Sequence, residues 1–389
     1  MSVTDTAGGA KRVPALRFHE FEGEWASIKA GDAFRNSRAK GEAGLSLYSV
    51  TMDRGLVPRD TLEKHMHGNA ADETNLRAQK GDIVYNMMRM WQGAAGISEL
   101  ECMVSPAYVV LTPKEETSSD FFNYRIENAR MLYFLWAYSH GLTSDRLRLY
   151  YADFARIPMR QPSLPEQKKI AAFLGVVDAK IAGLKARQEG LERYKRGLMQ
   201  ALFSQRLRFT KPDGTAFPDW EEKRLGEVAA ILKGKQLNRD DMLEEASVPV
   251  INGGITPSGF TDEANTDGDK ITISEGGNSC GFVGFQEHPF WCGGHCYSVE
   301  PKGEEILNSF LFQALKCSQD SIMRLRVGSG LPNIQKGDLS KLPICFPSFD
   351  EQQRVADALQ AMDAKIAAVA GQVAKMEEFK KGLLQQMFV

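Results

Sequence analysis

The chain has 389 residues, of which 43% are hydrophobic and 25% charged, and a formal net charge of −2. These values are typical of a folded protein of two or three domains and exclude a fibrous or disordered chain. Residues 1–14 lack the apolar segment of a signal peptide and are predicted to form a flexible tail. No apolar run is long enough to span a bilayer, and six scattered cysteines do not form a disulfide scaffold, so we expect a cytoplasmic protein.

The weak charge also bears on possible partners. A typical nucleic-acid-binding chain is basic, whereas this one is slightly acidic. If it binds DNA, its Lys and Arg residues must be segregated onto one face, or a partner must supply part of the contacts.

Residues 15–161 are predicted to form a first α+β domain. Strand-like runs such as "GDIVYNMM" and "AYVVLTP" alternate with Gly-rich loops, and a helical run, "FFNYRIENARMLYFLWAYSHG", follows. Short strands separated by turn residues and followed by a helix are typical of this class.

Residues 162–205 are predicted to form a first long helix that begins in "PSLPEQKKIAAFLGVVDAKI". Pro165 and Glu166 suit a helix start, because proline fits the first turn and a carboxylate favours the positive end of the dipole. Apolar residues recur every seven positions from Ile170, with a second row from Leu174, which is the coiled-coil pattern. A helix of roughly 38 residues would be about 57 Å long.

The same order recurs in the second half. Residues 206–346 contain the runs "DKITISEGG", "CGFVGF" and "CYSVEP", then the helical run "NSFLFQALKCSQDSIMRL". Residues 347–389 begin "PSFDEQQRVADALQAMDAKI" and are predicted to form a second long helix. Both halves therefore have the plan of an α+β domain followed by a helix.

The two helical segments align without a gap at a fixed offset of 185 positions, which indicates duplication of a large unit. The matched pairs include Glu166 with Glu351, Gln167 with Gln352, Asp178 with Asp363 and Gly197 with Gly382. Two copies related by a pseudo-two-fold axis would pack their helices as an antiparallel coiled coil that spaces the domains. The alternative is that each helix packs only on the core of its own domain.

Motifs for catalysis are scarce. The sequence has no G-x-x-x-x-G-K-[ST] phosphate loop, no G-x-G-x-x-G opening a helix and no Asn-Pro-Pro-aromatic motif, so we expect no enzymatic activity from this chain alone. "PDWEEK" at Pro218 is too compact for a nuclease metal site. His288, Cys292, His295 and Cys296 could hold zinc, although ordinary core and turn positions explain them better.

The paired "P-S-x-x-E-Q" segments, each with a later "YKRGLMQALF" or "FKKGLLQQMF", and the approach "LPNIQKGDLSKLPICFPS" resemble the specificity subunit of type I restriction–modification enzymes. The resemblance covers nearly the whole chain. It implies that each variable domain is a target-recognition domain that reads one half of a split double-stranded DNA site, and that the helices set the spacer. It also implies docking of two modification subunits, which carry S-adenosylmethionine and methylate adenine, and of restriction subunits that use ATP and Mg. The chain itself would hold no cofactor.

Candidate DNA-binding residues are polar side chains in the variable loops. Arg makes bidentate contacts with guanine, and Asn or Gln with adenine. The candidates are Asn86, Arg89, Trp91, Gln92, Arg146 and Arg148 in the first domain and Lys233, Lys235, Gln236, Arg239, Asn278, Arg324, Arg326, Ser329 and Asn333 in the second. Ordinary solvated surface or turn positions are the alternative for each. A scaffold or decoy that binds modification subunits without reading DNA is the alternative function, which a test of target preference would distinguish.

Overall fold

The computed structural model describes residues 13–62, 72–143, 146–328 and 332–389. The chain divides into two compact units. Unit 1 comprises Met1–Leu184 with Gly371–Val389, and unit 2 comprises Lys185–Ala370. The division follows contacts rather than chain order, so each unit contains half of each long helix.

Unit 1 contains ten strands and four complete helices among its described residues, and it shares two long helices with unit 2. The strands are β1 (Ala26–Lys29), β2 (Phe34–Ser37), β3 (Leu47–Thr51), β4 (Gly55–Pro58), β5 (Leu76–Ala78), β6 (Ile83–Asn86), β7 (Ala95–Ile97), β8 (Cys102–Val104), β9 (Tyr108–Pro113) and β10 (Pro158–Gln161). The helices are α1 (Ala30–Ala33), α2 (Ser119–Ile126), α3 (Ala129–Ala137), α4 (Tyr151–Phe154) and the long α5 (Leu164–Phe203). The sheets have the orders β1-β10, β2-β9-β6-β7 and β4-β3-β8-β5.

Unit 2 repeats this plan. Its strands are β11 (Glu221–Arg224), β12 (Ala229–Lys233), β13 (Val248–Ile251), β14 (Phe260–Thr261), β15 (Lys270–Ser274), β16 (Val283–Gln286), β17 (Trp291–Cys292), β18 (Cys296–Pro301) and β19 (Pro343–Phe346). Its helices are α6 (Leu225–Val228), α7 (Asn308–Cys317), α8 (Gln319–Arg324), α9 (Lys336–Ser340) and the long α10 (Phe349–Gln386). The sheets have the orders β11-β19, β12-β18-β15-β16 and β14-β13-β17.

The four-stranded sheets of the two units correspond strand by strand. In unit 1, β6 and β9 pair antiparallel with Ile83 opposite Leu111, and in unit 2, β15 and β18 pair antiparallel with Ile271 opposite Val299. These four side chains are buried at 1% exposure or less. The predicted α+β class and its duplication are therefore confirmed.

The central strands are apolar on both faces because both faces are covered. In unit 1, Ile83 and Leu111 join the core formed with the helices, whereas Val84 and Val110 join a second core between the two four-stranded sheets. Adjacent residues of a strand point to opposite faces, so a continuous apolar run is required here in place of alternation.

The long helices bury their apolar rows against each other within each unit. In unit 1, Ile170 and Leu174 near the start of α5 share a core with Leu383 near the end of α10. In unit 2, Leu202 near the end of α5 shares a core with Val355 near the start of α10. The start of one helix thus lies beside the end of the other, as the antiparallel prediction requires, and the alternative of separate packing is wrong.

A lysine–carboxylate pair repeats between the helices in both units. Lys380 Nζ of α10 lies 3.0 Å from Asp178 Oδ1 of α5, and Lys195 Nζ of α5 lies 2.6 Å from Asp363 Oδ1 of α10. Burial lowers the pKa of Lys380, but the hydrogen bonds to Glu127 and Asp178 and their negative charges outweigh burial, so the pKa of Lys380 lies above its usual value. The same two sequence positions therefore pair reciprocally.

The glutamate of the repeated P-S-x-x-E-Q motif ties the helix start to the α+β domain. Glu166, 1% exposed, accepts bonds from Arg17 Nε and Nη2, both at 2.8 Å, and from Trp25 Nε1 at 3.2 Å. Unit 2 makes the same contacts between Glu351, Arg208 and Trp220. A buried carboxylate is retained here because three donors satisfy it.

The glutamine of the motif satisfies main-chain groups in the same place. Gln167 accepts a bond from Ser118 N at 2.9 Å and donates to the carbonyls of Glu116 and Pro162. Gln352 repeats all three contacts in unit 2, with Leu307, Glu305 and Pro347. The motif is therefore a structural lock that holds each set of loops on its helix.

Candidate nucleic-acid interface

The loop after β6 carries the first group of predicted site residues on a tight turn. Met90 is fully buried and anchors the turn, which ends at Gly93 with a φ of +89°. Asn86 Oδ1 accepts a bond from Met88 N at 3.0 Å, and Trp91 Nε1 donates to the Met88 carbonyl at 3.1 Å. Asn86 and Trp91 are half-buried and shape the loop through these bonds.

Arg89 and Gln92 present polar groups from the same loop. Arg89 is exposed, and its Nη1 donates to Gln92 Oε1 at 3.1 Å. The other N–H groups of the guanidinium and the Gln92 amide nitrogen take no part in this contact. Groups of these two kinds hydrogen-bond to base edges.

The segment that carries Arg146 and Arg148 lies directly beside this loop. Leu149 N donates to the Met87 carbonyl at 2.9 Å, and His140 and Arg148 exchange main-chain bonds of 2.9 and 2.8 Å. Arg146 and Arg148 are both exposed. The tertiary structure therefore brings together two groups of candidates that lie about sixty residues apart in the sequence.

Unit 2 places an equivalent loop after β15. Ile334 N donates to the Glu275 carbonyl at 2.8 Å, which repeats the Leu149–Met87 bond of unit 1. Gly277, with a φ of +75°, donates from its N to the Pro332 carbonyl at 3.2 Å. Asn278 is exposed at the tip of this loop.

Arg326 and Asn333 flank the same loop. Asn333 pairs with Val327 through two main-chain bonds of 2.9 and 3.0 Å, which places Arg326 at the edge of the loop. Gln335 Nε2 donates to Asn333 Oδ1 at 3.0 Å. Arg326 is exposed, and the predicted Ser329 lies outside the described residues.

Lys233 joins this loop through a buried carboxylate. Glu275, 7% exposed, accepts bonds from Lys233 Nζ at 2.7 Å and from Tyr297 Oη at 3.0 Å. His295 Nδ1 lies 3.7 Å from the other carboxylate oxygen. Burial and the bond to Glu275 raise the pKa of Tyr297, so its hydroxyl stays a donor at neutral pH.

The remaining candidates of unit 2 are exposed but lie on other segments. Lys235 follows β12, where its N donates to the Cys292 carbonyl at 2.9 Å. Gln236 Nε2 donates to the Leu237 carbonyl, Arg239 begins a short turn, Arg239–Asp241, and Arg324 ends α8 with a bond to Ser321 Oγ. Nothing in the described contacts brings Arg239 to the Asn278 loop, whereas Met323, the neighbour of Arg324, lies against Gly281 at the end of that loop.

The zinc alternative is not supported by the geometry of the described residues. Cys292 and Cys296 are buried, whereas His288 and His295 are exposed. Within the described ranges no group of three or more His, Cys, Asp or Glu side chains could hold a metal ion. In the same ranges, no helix combines the length and apolar character that a membrane crossing needs.

Sequence reasoning missed two charged residues that the fold makes prominent. Glu275 directly follows the apolar strand β15, and a carboxylate directly after such a run was the available signal. Arg125, 5% exposed, lies on α2 in a run of aromatic residues and had no signal of its own.

The structure is a duplicated α+β fold with different polar loops at equivalent strand ends and two long paired helices. The chain belongs to the family described as the type I restriction modification DNA specificity domain, whose model matches residues 26–193 and 218–378.

Curated relatives share limited identity with this chain. A putative type I specificity subunit of Mycoplasma pneumoniae is 34% identical over 150 residues, or 38% of this chain and 40% of the relative. The type I restriction enzyme MjaIX specificity subunit of Methanocaldococcus jannaschii is 22% identical over 352 residues, 84% of this chain and 81% of the relative. The chain thus matches about two fifths of the length of the Mycoplasma pneumoniae relative.

Two solved structures share the fold over nearly the whole chain. The type I restriction–modification S subunit from M. genitalium has a TM-score of 0.63 at 19% identity, covering 97% of this chain and 99% of that one. A chain from work on complex assembly and conformational transition of the type I R-M system has a TM-score of 0.59 at 16% identity, covering 94% and 97%. At these identities the likeness concerns the fold.

Proposed function

We propose that this protein is the DNA sequence-recognition subunit of a type I restriction–modification complex and binds a bipartite target. Residues 15–161 and 206–346 each read one half-site. The observation that carries the proposal is the repetition of one frame with different loops. The two units repeat the Glu-Gln lock and the order of the four-stranded sheet that contains β6 or β15, whereas the loops after β6 and β15 present different side chains.

Base recognition explains why the loops differ while the frame does not. Each half-site needs its own pattern of donors and acceptors, and a rigid scaffold can carry either set. In the first domain, Arg89, Gln92 and Arg148 contact one half-site. In the second, Asn278, Arg326 and Lys233 contact the other, and Glu275 orients the lysine.

The long helices serve as the spacer and docking element. A helix of 40 residues is about 60 Å long, a little under two turns of duplex. Two modification subunits that carry S-adenosylmethionine and restriction subunits that use ATP and Mg dock on this chain. Their cations supply the part of the phosphate contacts that a chain of net charge −2 lacks.

The protein acts in the cytoplasm without catalysis or cofactor of its own. Its six cysteines are free, which suits a reducing compartment. In this arrangement the partner subunits carry out methylation and cleavage, and this chain determines the DNA site at which they act.

The test is to assemble the chain with its modification subunits and map methylated adenines in modified DNA. The expected result is a gapped motif with two defined halves. Arg89→Ala should relax one half and Arg326→Ala the other, by about 1–3 kcal/mol of discrimination each. Methylation without target preference would instead favour a scaffold or decoy.

Lys211→Ala is the matched control, because Lys211 is an exposed cation outside both loops. It should leave both half-sites unchanged. If Arg89→Ala weakens binding equally on all sequences, Arg89 is a phosphate contact and the assignment of base reading to it is wrong.

A further inference from the structure

Unit 1 contains a half-open cavity of about 840 Å³ bounded by α3, β10 and the residues after α10. Four arginines line it, one each from α2, α3, the turn before β10 and β10 itself. They are Arg125, Arg130, Arg156 and Arg160. Among the described residues, none of the side chains that line the cavity is acidic. This is an unusual concentration of positive charge in a slightly acidic chain.

Arg125 is buried in the wall of this cavity without a full set of partners. It is 5% exposed, its Nη1 donates to the Arg160 carbonyl at 2.6 Å, and its Nη2 donates to the main-chain oxygen of Val389 at 3.1 Å. Its Nε has no hydrogen-bond partner within the described structure. Burial, and then repulsion from Arg130, lower the pKa of Arg125 to about 10. Arg125 therefore adds a buried positive charge to the wall of the cavity.

Two of the other guanidinium groups are available to the same ligand. Arg156 is paired with Asp153, but Arg130 and Arg160 have no ion-pair partner among the described residues. Arg130 lies over the Phe134 ring at 5.9 Å, which holds it at the cavity rim. Planar guanidinium forks bind the oxygens of a phosphate bidentately, and several of them match its double charge better than the single charge of a carboxylate.

The rim is aromatic, which suits a ring attached to the phosphate. Tyr133 is 58% exposed and, with Phe134, Tyr138 and His140, lines the cavity. Aromatic side chains stack on nucleic-acid bases, and the volume falls in the range of pockets for small organic ligands.

The duplication supplies an internal comparison. Phe121 and Phe310 each contact the tryptophan of their own unit, and four residues further on unit 2 has Ala314 where unit 1 has Arg125. At the offset of 185, Cys345 stands where unit 1 has Arg160. Because unit 2 builds the same frame without these arginines, the frame does not require them.

We propose that this cavity is a binding site for a phosphate group that carries a nucleoside, with Arg125, Arg130 and Arg160 holding the phosphate and Tyr133 and Tyr138 flanking the base. The phosphate comes from a free nucleotide or from the end of a DNA strand, and the chemistry of recognition is the same. The site is separate from the loops after β6 and β15, so it does not depend on their role in target recognition.

The experiment is isothermal titration calorimetry of the full-length chain with deoxyadenosine monophosphate, deoxyadenosine, inorganic phosphate and succinate. One molecule of the monophosphate should bind per chain, more tightly than deoxyadenosine or succinate by about tenfold or more. Arg130→Ala with Arg160→Ala should remove this binding. These two residues lie nearer the surface than Arg125, so the double variant should fold, which circular dichroism verifies.

Lys341→Ala is the matched control, since Lys341 occupies in unit 2 the position of Arg156 and pairs with Asp338 as Arg156 does with Asp153. It should bind the monophosphate as the parent does. A 5′-phosphorylated oligonucleotide that binds more tightly than both the monophosphate and the same oligonucleotide without its 5′-phosphate identifies a strand end as the source. If the 5′-phosphate adds no affinity to the oligonucleotide while the monophosphate binds, the source is a free nucleotide. The proposal is overturned if the monophosphate shows no saturable binding, or if its binding survives the double variant. It is also overturned if succinate binds as tightly as the monophosphate, a result that would favour a carboxylate of a partner protein as the ligand.

Discussion

Replacing Glu166 with glutamine tests the lock that joins the first helix to its domain. The carboxylate is 1% exposed and accepts three bonds from Arg17 and Trp25. Glu166→Gln preserves the shape, but it removes the charge opposite Arg17 and turns one acceptor into a donor that faces donors. Breaking a buried pair costs about 3–5 kcal/mol, and since Arg17 keeps some solvent contact, with 13% of its side chain exposed, we expect about 3 kcal/mol.

Hydrogen exchange measured by mass spectrometry is the appropriate assay, because a chain with two units need not unfold in one step. A loss of about 3 kcal/mol should accelerate exchange of the protected amides around Trp25 and the start of α5 by about a hundredfold. Glu351→Gln should produce the same acceleration around Trp220 and the start of α10, since unit 2 repeats the contacts.

Glu189→Gln is the control on the same helix, because Glu189 is exposed. It should change stability by less than about 0.5 kcal/mol. If Glu166→Gln behaves like Glu189→Gln, the carboxylate is not a lock and the reasoning from its burial and three donors is refuted.

Two further predictions concern the helix pair and the second loop. Lys380→Met should lower the stability of unit 1 by about 1 kcal/mol, because its partners Glu127 and Asp178 are partly exposed. The pKa of Lys380 is raised in the folded protein, so its contribution to stability is complete below its pKa in the unfolded chain and is lost as the pH rises through its pKa in the folded protein. Urea unfolding should therefore show the stability difference between the parent and Lys380→Met shrinking in strong alkali. Gly281→Ala should lower the melting temperature of unit 2, because φ there is +89° and the new Cβ would lie 2.8 Å from Met323 Cγ, at a cost of about 1–3 kcal/mol.

Each of these has its own check. Lys365→Met alters a lysine of the same helix that is exposed and should leave unit 1 unchanged at every pH. Gly337→Ala adds a methyl with no atom within 4 Å and should leave the melting temperature of unit 2 within a degree or two of the parent. A pH-independent effect of Lys380→Met, or a Gly281→Ala protein as stable as the Gly337→Ala protein, would contradict the respective argument.

Much of the fold was accessible from periodicity and repetition. The seven-residue rows that contain Ile170 and Leu174 predict two long helices, and the fixed offset between Glu166 and Glu351 predicts a duplication. The heptad spacing is a local pattern, and the repeat is found by comparing the sequence with itself, so both can be recognised without knowledge of distant contacts. The antiparallel packing also follows from the duplication, since two copies related by a two-fold axis place their helices side by side in opposite directions.

The role of the Glu-Gln motif was not accessible in this way. Arg17 and Glu166 are 149 positions apart, and nothing in either segment indicates that the two residues form an ion pair. The same holds for the candidate interface, where the bonds of Leu149 with Met87 and Tyr85 show that Arg148 lies beside the loop of Arg89. Arg239 matches the same residue type but lies on another segment.

The sequence by itself determined the class of the protein, the duplicated plan and the helices, because hydrophobic spacing acts over a few residues and repetition can be read along one chain. The tertiary structure alone decided which polar residues are buried locks, which are exposed on adjoining loops, and that Arg125, Arg130 and Arg160 line one cavity. The physical reason is that burial and charge pairing depend on residues brought together by folding, and their sequence separation carries no trace of that proximity.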